Sequence, residues 1–404
     1  MRILKLFAIS FCFMAIGSCS FFGSSISRMI NNSDIISKNF KAEEEFNFDK
    51  KLIVIKVLLK GKEYEFIFDT GASISILSQD AANALNIKEE GASYINDSQG
   101  NRQKLGLANL DTVNIAGVLF KDIAVSIIDW PEYSAVECLG RDGLIGNNLI
   151  RHCNWIIDYE NKKLIFSDGH LGDDDFLNVP MKYGKSRPRL DIQINEKTLS
   201  NVLLDLGSGG GLDIGLAQAK SLDIDSRNYP KVYTLDGSSQ GLFGSKVDSV
   251  VTVKIDSLGF GNGKYLLYNS SLDIESEKGG KIGNQILKRG LLHLDYENNI
   301  IGFKPYESIT RFKDERSFSF SPSLGKNGLY ISSINLKGKA DQLGLEYGDK
   351  IKSLNGKQAQ DFPDYCSYIE FIFSDIRYSD SLIVVMDQKP EESLIFHKKS
   401  LWEN

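Results

Sequence analysis

The chain has 404 residues, 42% hydrophobic and 25% charged, a balance that excludes a disordered polypeptide. Lysine and arginine total 47 against 53 acidic residues, so the formal net charge is −6 without a basic block, and nucleic-acid binding has no electrostatic support. Four scattered histidines, with no His-Glu-x-x-His or Cys-x-x-Cys pattern, argue against a dedicated metal site.

In chain order, Arg2 and Lys5 precede an apolar run, Leu6 to Ile16, that falls short of the roughly 20 residues needed to cross a bilayer. Charge followed by a short apolar stretch is the order of an export signal. Ile16-Gly17-Ser18-Cys19 resembles the lipobox of bacterial lipoproteins, and the resemblance implies lipidation at Cys19 and attachment to a cell-envelope membrane. Residues 1–19 are thus expected as signal and 20–50 as a polar linker.

The next 250 residues repeat themselves. Leu52 to Leu59, a Lys60-Gly61 turn and Tyr64 to Phe68 read as a strand pair running into Asp69-Thr70-Gly71-Ala72. Leu190 to Ile194, a short turn and Val202 to Leu204 run likewise into Asp205-Leu206-Gly207-Ser208, at an offset of 136 residues. Leu144-Ile145-Gly146-Asn147 returns as Lys281-Ile282-Gly283-Asn284, and Asp158-Tyr159-Glu160-Asn161 as Asp295-Tyr296-Glu297-Asn298, both at 137. Segments around Tyr94 to Lys104 and Tyr233 to Gly244 are polar and contain glycine, as ordinary loops do, and the family resemblance set out next implies covering hairpins there.

A strand of large apolar residues ending in Asp-Thr-Gly sets a carboxylate at a tight turn. Two such loops face to face make two carboxylates share one proton, so that one acts as base on a water while the other polarises a carbonyl. These motifs resemble the pepsin and retropepsin superfamily, whose hallmark is Asp-Thr-Gly-Ala/Ser with a later apolar-apolar-Gly in each lobe. The resemblance implies a mainly β chain with two acid-protease β-barrel lobes, 51–180 and 181–306. It implies aspartic-type endopeptidase activity with Asp69 and Asp205 catalytic, loops shaped by Thr70, Gly71, Ala72, Leu206, Gly207 and Ser208, a peptide substrate and no cofactor. One duplicated chain supplies both halves, so a monomer suffices. Leu206 in place of threonine, and Lys281 in place of an apolar residue, depart from the pattern. The alternative they motivate is a weak or inactive peptide-binding protein of the same fold.

Beyond a polar stretch, Ala340, Gly344, Leu345, Gly348, Asp349, Ile351, Asn355 and Gly356 stand in an order that resembles the PDZ domains of bacterial proteases. That resemblance implies a PDZ domain over 317–404, taking up a polypeptide end by strand addition near Gly328, Leu329 and Tyr330. Cys138 and Cys153 are the local candidates for one disulfide, with three buried thiols as the alternative. A serine-protease reading through His152 and Ser208 is set aside: the spacing is too short for two barrels, and the repeat aligns Asp205, not Ser208, with Asp69.

Overall fold

The computed structural model describes residues 29–184, 187–224, 228–237, 239–261, 263–275, 279–307, 310–313 and 315–403. The export signal and the lipidation site Cys19 lie outside the described residues. Among those described, no helix is long and apolar enough to cross a membrane.

The chain is mainly β, and strand alternation shows why. In Val54–Leu59, Ile55, Val57 and Leu59 are buried while Lys56 and Leu58 face outward. Lys60 and Gly61 both take positive φ (48° and 78°), the two-residue turn that leads back into Lys62–Phe68. Lys62–Phe68 then pairs in parallel with Gly143–Ile145, which also pairs antiparallel with Ser75–Ser78. The arrangement recurs: Lys197–Leu204 runs parallel to Lys281–Ile282, which pairs antiparallel with Leu212–Gly215. Long hairpins, Arg102–Ile115 with Val118–Ile128 and Asp248–Phe260 with Tyr265–Glu275, wrap each unit.

A shared sheet joins the two units, in the order Leu177–Pro180, Ile300–Pro305, Gly290–Asp295, Asn154–Asp158, Lys163–Ser167, Lys41–Asn47. At its centre Trp155, Ile156 and Ile157 pair with Leu294, His293 and Leu292. Trp155 is fully buried, stacked on Phe166 at 4.5 Å and edge-on to Phe68 at 4.8 Å, and its Nε1 donates to the Ile150 carbonyl. A continuous hydrophobic core runs through both units, each fully buried aliphatic or phenyl side chain contributing about 1.5–3 kcal/mol.

Residues 318–396 build a third core around Phe320, Ile331, Leu354, Val384 and Phe396. Its strand Gly328–Asn335 also pairs with Lys231–Asp236 of the second unit, through Ser333 to Asn335.

Three expectations are corrected. The cysteine partners are Cys138 and Cys366, 228 residues apart, while Cys153 is a free, buried thiol. Helix Ala135–Leu139 lies against helix Tyr365–Phe371, which brings that pair together, whereas Cys153 sinks into the main core. The stretch expected as a linker up to residue 50 contains the strand Lys41–Asn47, paired with Lys163–Ser167 and with Val54–Leu59. Leu177–Pro180, expected at the end of the first unit, pairs with Ile300–Pro305 of the second.

Candidate active site

Each carboxylate stands where its strand leaves the parallel pairing. The Asp69 amide donates to the Ile145 carbonyl and the Asp205 amide to the Ile282 carbonyl, so both loops leave equivalent floors. The Gly71 and Ala72 amides donate to Asp69 Oδ1 at 2.6 and 3.2 Å and fix its orientation. A Cβ added at Gly71 would lie 2.3 Å from Asp205 Oδ1, and one at Gly207 would lie 2.3 Å from Asp69 Cγ. Each glycine thus makes room for the opposite carboxylate, and only glycine permits that approach.

Thr70 ties the loops together. Its hydroxyl, fully buried, donates to the Leu204 carbonyl at 2.7 Å and accepts from the Leu206 amide at 2.9 Å. Leu206 returns no such bond; its side chain is buried in the main core. Its loop is held instead by Asn284, whose Nδ2 donates to the Leu206 carbonyl at 2.7 Å, while Asn284 Oδ1 accepts from Tyr159 of the first unit, also at 2.7 Å. The counterpart is complete. Asn147 Nδ2 donates to the Thr70 carbonyl, and Asn147 Oδ1 accepts from the Tyr296 hydroxyl at 2.8 Å. The tyrosine of each unit therefore steadies the loop of the other. The 137-residue repeat contained both pairs, yet the sequence alone assigned them no task.

The electrostatics of the carboxylates follow from burial and from each other. Burial, together with the nearby Asp205, pushes the Asp69 carboxyl up to about 7 from the ordinary 3.8. Asp205 is also raised, chiefly by burial; Lys281 pulls it back and Asp213 pushes it further up. The pair is thus set to hold a proton well above the usual carboxylate range. Arg187, which the sequence did not single out, donates from Nη1 to the Gly71 carbonyl at 3.0 Å.

The surroundings differ between the units. Beside Asp69, Ile76 faces Leu144 and Ser126; at the same register in the second unit Asp213 faces Lys281 and Asp273. Lys281 Nζ lies 2.8 Å from Asp213. Burial works against the Lys281 charge, but Asp213 and Asp205 outweigh it and raise its pKa. Asp273 accepts from Thr252 at 2.6 Å and is pushed up to about 7, first by burial and then by Asp213.

Of the other singled-out residues, Ser208 Oγ accepts from the Gly210 amide, and His152 Nε2 lies 3.0 Å from Ser33 Oγ, so His152 is engaged away from Ser208. In the third unit Leu329 and Tyr330 have strand partners on both sides, Leu324 and Ser323 on one and Ile351 and Lys350 on the other. A polypeptide end therefore cannot add a strand at those positions. Among the described pairings, the outer edge of Phe320–Gly325 carries no strand. Away from the cleft, His170, His293 and Asp295 bring potential ligand atoms within 4.8 Å of one another. His170 Nδ1 lies 2.8 Å from Asp295 Oδ2, just as the Tyr306 hydroxyl meets Asp158 at the equivalent turn, so this contact already serves as a brace.

The chain is mainly β, with two carboxylates opposed on repeated strand–loop units. Residues 55–149 match the family described as "Aspartyl protease". The chain is also 24% identical over 243 residues to proteins named "Serine protease HtrA-like" from Staphylococcus aureus strains USA300 and COL, with 53% of this chain covered. It spans about 31% of the length of those relatives. Both matches support a protease-like class for the chain.

Proposed function

We propose that the protein is an aspartic-type endopeptidase in which 51–180 and 181–306 are acid-protease lobes. The reading is carried by one observation: Gly71 makes room for Asp205 and Gly207 for Asp69, with the Thr70 hydroxyl bonded across the two loops. Two carboxylates in that arrangement share a proton. The ionised one takes a proton from a water between them; the oxygen attacks the peptide carbonyl carbon, whose oxygen takes up the proton of the partner carboxyl. The resulting diol collapses as the carboxyl that took the water proton delivers it to the departing amine nitrogen, the other carboxylate accepts a proton from a diol hydroxyl, and the C–N bond breaks. No cofactor takes part. Thr70 and the two Asn–Tyr braces hold the carboxylates in place, and the hairpins Gly91–Asn96/Arg102–Ile115 and Lys231–Asp236/Asp248–Phe260 exclude bulk water.

Residues 317–404 act in this reading as a PDZ domain that takes an extended polypeptide along the free edge of Phe320–Gly325, beside helix Tyr365–Phe371. The N-terminal signal and Cys19 attach the protein to a cell-envelope membrane. One specific observation favours a second reading as a weak or inactive peptide-binding protein: Leu206 leaves the brace across the loops one-sided.

Digestion of a peptide library from about pH 3 to 8, read by mass spectrometry, separates the two. Cleavage that disappears in both Asp69→Asn and Asp205→Asn is expected. Cleavage that survives either substitution overturns the shared-proton mechanism. Retention of peptides without cleavage by the parent selects the binding protein.

A further inference from the structure

The second covering hairpin ends in a narrow tip. Gln240 and Gly241 pair with Ser245 and Gly244, which leaves Leu242 and Phe243 at the turn. Both are half-buried. They lie against an apolar cluster of the first lobe made by Leu52, Ile67, Ile76, Leu105, Ile128 and Leu144. Ile67 lies two residues before Asp69, and Ala72 of the same loop packs on this cluster, so the cluster that receives the tip reaches the Asp69 loop.

The seat is closed from three sides. The Phe243 amide donates to Asp97 Oδ2 at 3.1 Å, and Asp97 is the tip of the first hairpin, where its Oδ1 accepts from the Gln99 and Asn101 amides. A Cβ at Gly241 would lie 2.4 Å from Asp97 Oδ2, so the two tips interlock. Gln240 Oε1 accepts from the Ala135 amide at 2.7 Å, and its Nε2 donates to the Tyr133 carbonyl and to the Tyr365 hydroxyl of the third unit. The root of the same hairpin is an added strand on the third unit, through Thr234 to Asp236, and the Cys138–Cys366 bond fastens that unit to helix Ala135–Leu139. Val136 and Leu139 of this helix pack against the same apolar cluster.

We propose that Leu242-Phe243 is a built-in occupant of the apolar seat of the first lobe, clamped there by the third unit, so that a polypeptide binds only by displacing it. The inference rests on the endopeptidase reading for its substrate, but not for its contacts. An adjacent Leu-Phe pair in an extended turn offers the chemistry that the Ile, Leu and Val lining would take from a bound polypeptide. A substrate must displace the tip, so the free pocket is a minor state and apparent affinity falls by that fraction. A mere lid would instead add its side chains to the contacts that hold the substrate.

The test uses the full oxidised chain and a short fluorescent peptide with a central Leu-Phe pair, with a Ser-Asp version as control. Binding is read by anisotropy on an Asp69→Asn background, where turnover does not interfere. The pair Leu242→Ser/Phe243→Ser is expected to bind the Leu-Phe peptide at least about tenfold more tightly than the parent. Asp97→Ala, which unhooks the tip from the opposite hairpin without touching the pocket, should move in the same direction, and the Ser-Asp peptide should gain nothing. Unchanged or weaker binding in both variants overturns the proposal. Cleavage is then measured with Asp69 intact. Tighter binding with no cleavage by any variant retains the plug and removes the endopeptidase reading. Cleavage that depends on Asp69, with no gain in binding from either variant, removes the plug alone.

Discussion

The two repeated units share a backbone plan and differ in the side chains they set beside their aspartates. In the first, the register beside the Asp69 loop holds Ile76, Leu144 and Ser126; in the second, the same register holds Asp213, Lys281 and Asp273. Strand pairing is indifferent to that exchange because backbone groups make the ladder, while side chains decide the dielectric and the charge around each aspartate. An equivalent fold therefore delivers two inequivalent carboxylates. Asp69 is shaped by burial and by its partner, and Asp205 also feels an ammonium and a further carboxylate.

The largest effect should come from breaking the charged floor by half. Lys281→Met leaves Asp213 buried beside Asp205 and Asp273 without its ion-pair partner, and the denaturation midpoint should fall by the equivalent of about 3 kcal/mol. The double change Asp213→Ile/Lys281→Leu copies the first unit and should stay within about 1 kcal/mol of the parent, since a well-packed apolar pair replaces an ion pair at little net cost. If the double variant falls as far as the single one, the charges do more than fill space.

The next test concerns the brace. Thr70→Val removes both bonds across the loops, and kcat/KM should drop on the order of a hundredfold through misplaced carboxylates. Leu206→Thr offers the missing hydroxyl but surrenders apolar burial, and should lose about 1–2 kcal/mol of stability with little change in rate.

Titration sharpens the comparison further. Asp69 and Asp273 are both raised from 3.8 to about 7, so between those values the folded form holds protons that the unfolded form has released. Their contribution to stability is therefore greatest near pH 4 and declines as the pH rises to about 7. Asp273→Ser, the first lobe's residue, should make that decline shallower in thermal melts, and cleavage should fade above about pH 7 as the shared proton leaves. The smallest effects belong to the symmetric braces: Tyr159→Phe and Tyr296→Phe should each cost about 1 kcal/mol, and by the same amount. Unequal losses would mean that one loop depends on its brace more than the other.

Local order and repetition explain what could be read in advance. Asp69 and Asp205, with Asn147, Asn284, Tyr159 and Tyr296, recur at near-constant offsets because equivalent strands must carry equivalent side chains to the same place. The charged floor was invisible in that form. Asp213, Lys281 and Asp273 are distant in sequence and become neighbours only through strand register. Cys138 found its partner 228 residues away, where two short helices meet, a contact that no spacing rule encodes. Leu329 and Tyr330 belong to a recognisable pattern, yet the pattern does not say which edges neighbouring strands have already taken.

The shared sheet, with Trp155 to Ile157 paired against Leu292 to Leu294, joins the halves as two copies of one subunit would be joined in a symmetric dimer. A cleft between identical copies would accept a polypeptide in either direction at the same energy, and every gain from a mutation on one side would be repeated on the other. Fusion removes that degeneracy. In the proposed endopeptidase, apolar residues beside one aspartate and ionic ones beside the other would give the two directions of a bound chain different energies. The covalent link between the halves thus gives the cleft a sense of head and tail.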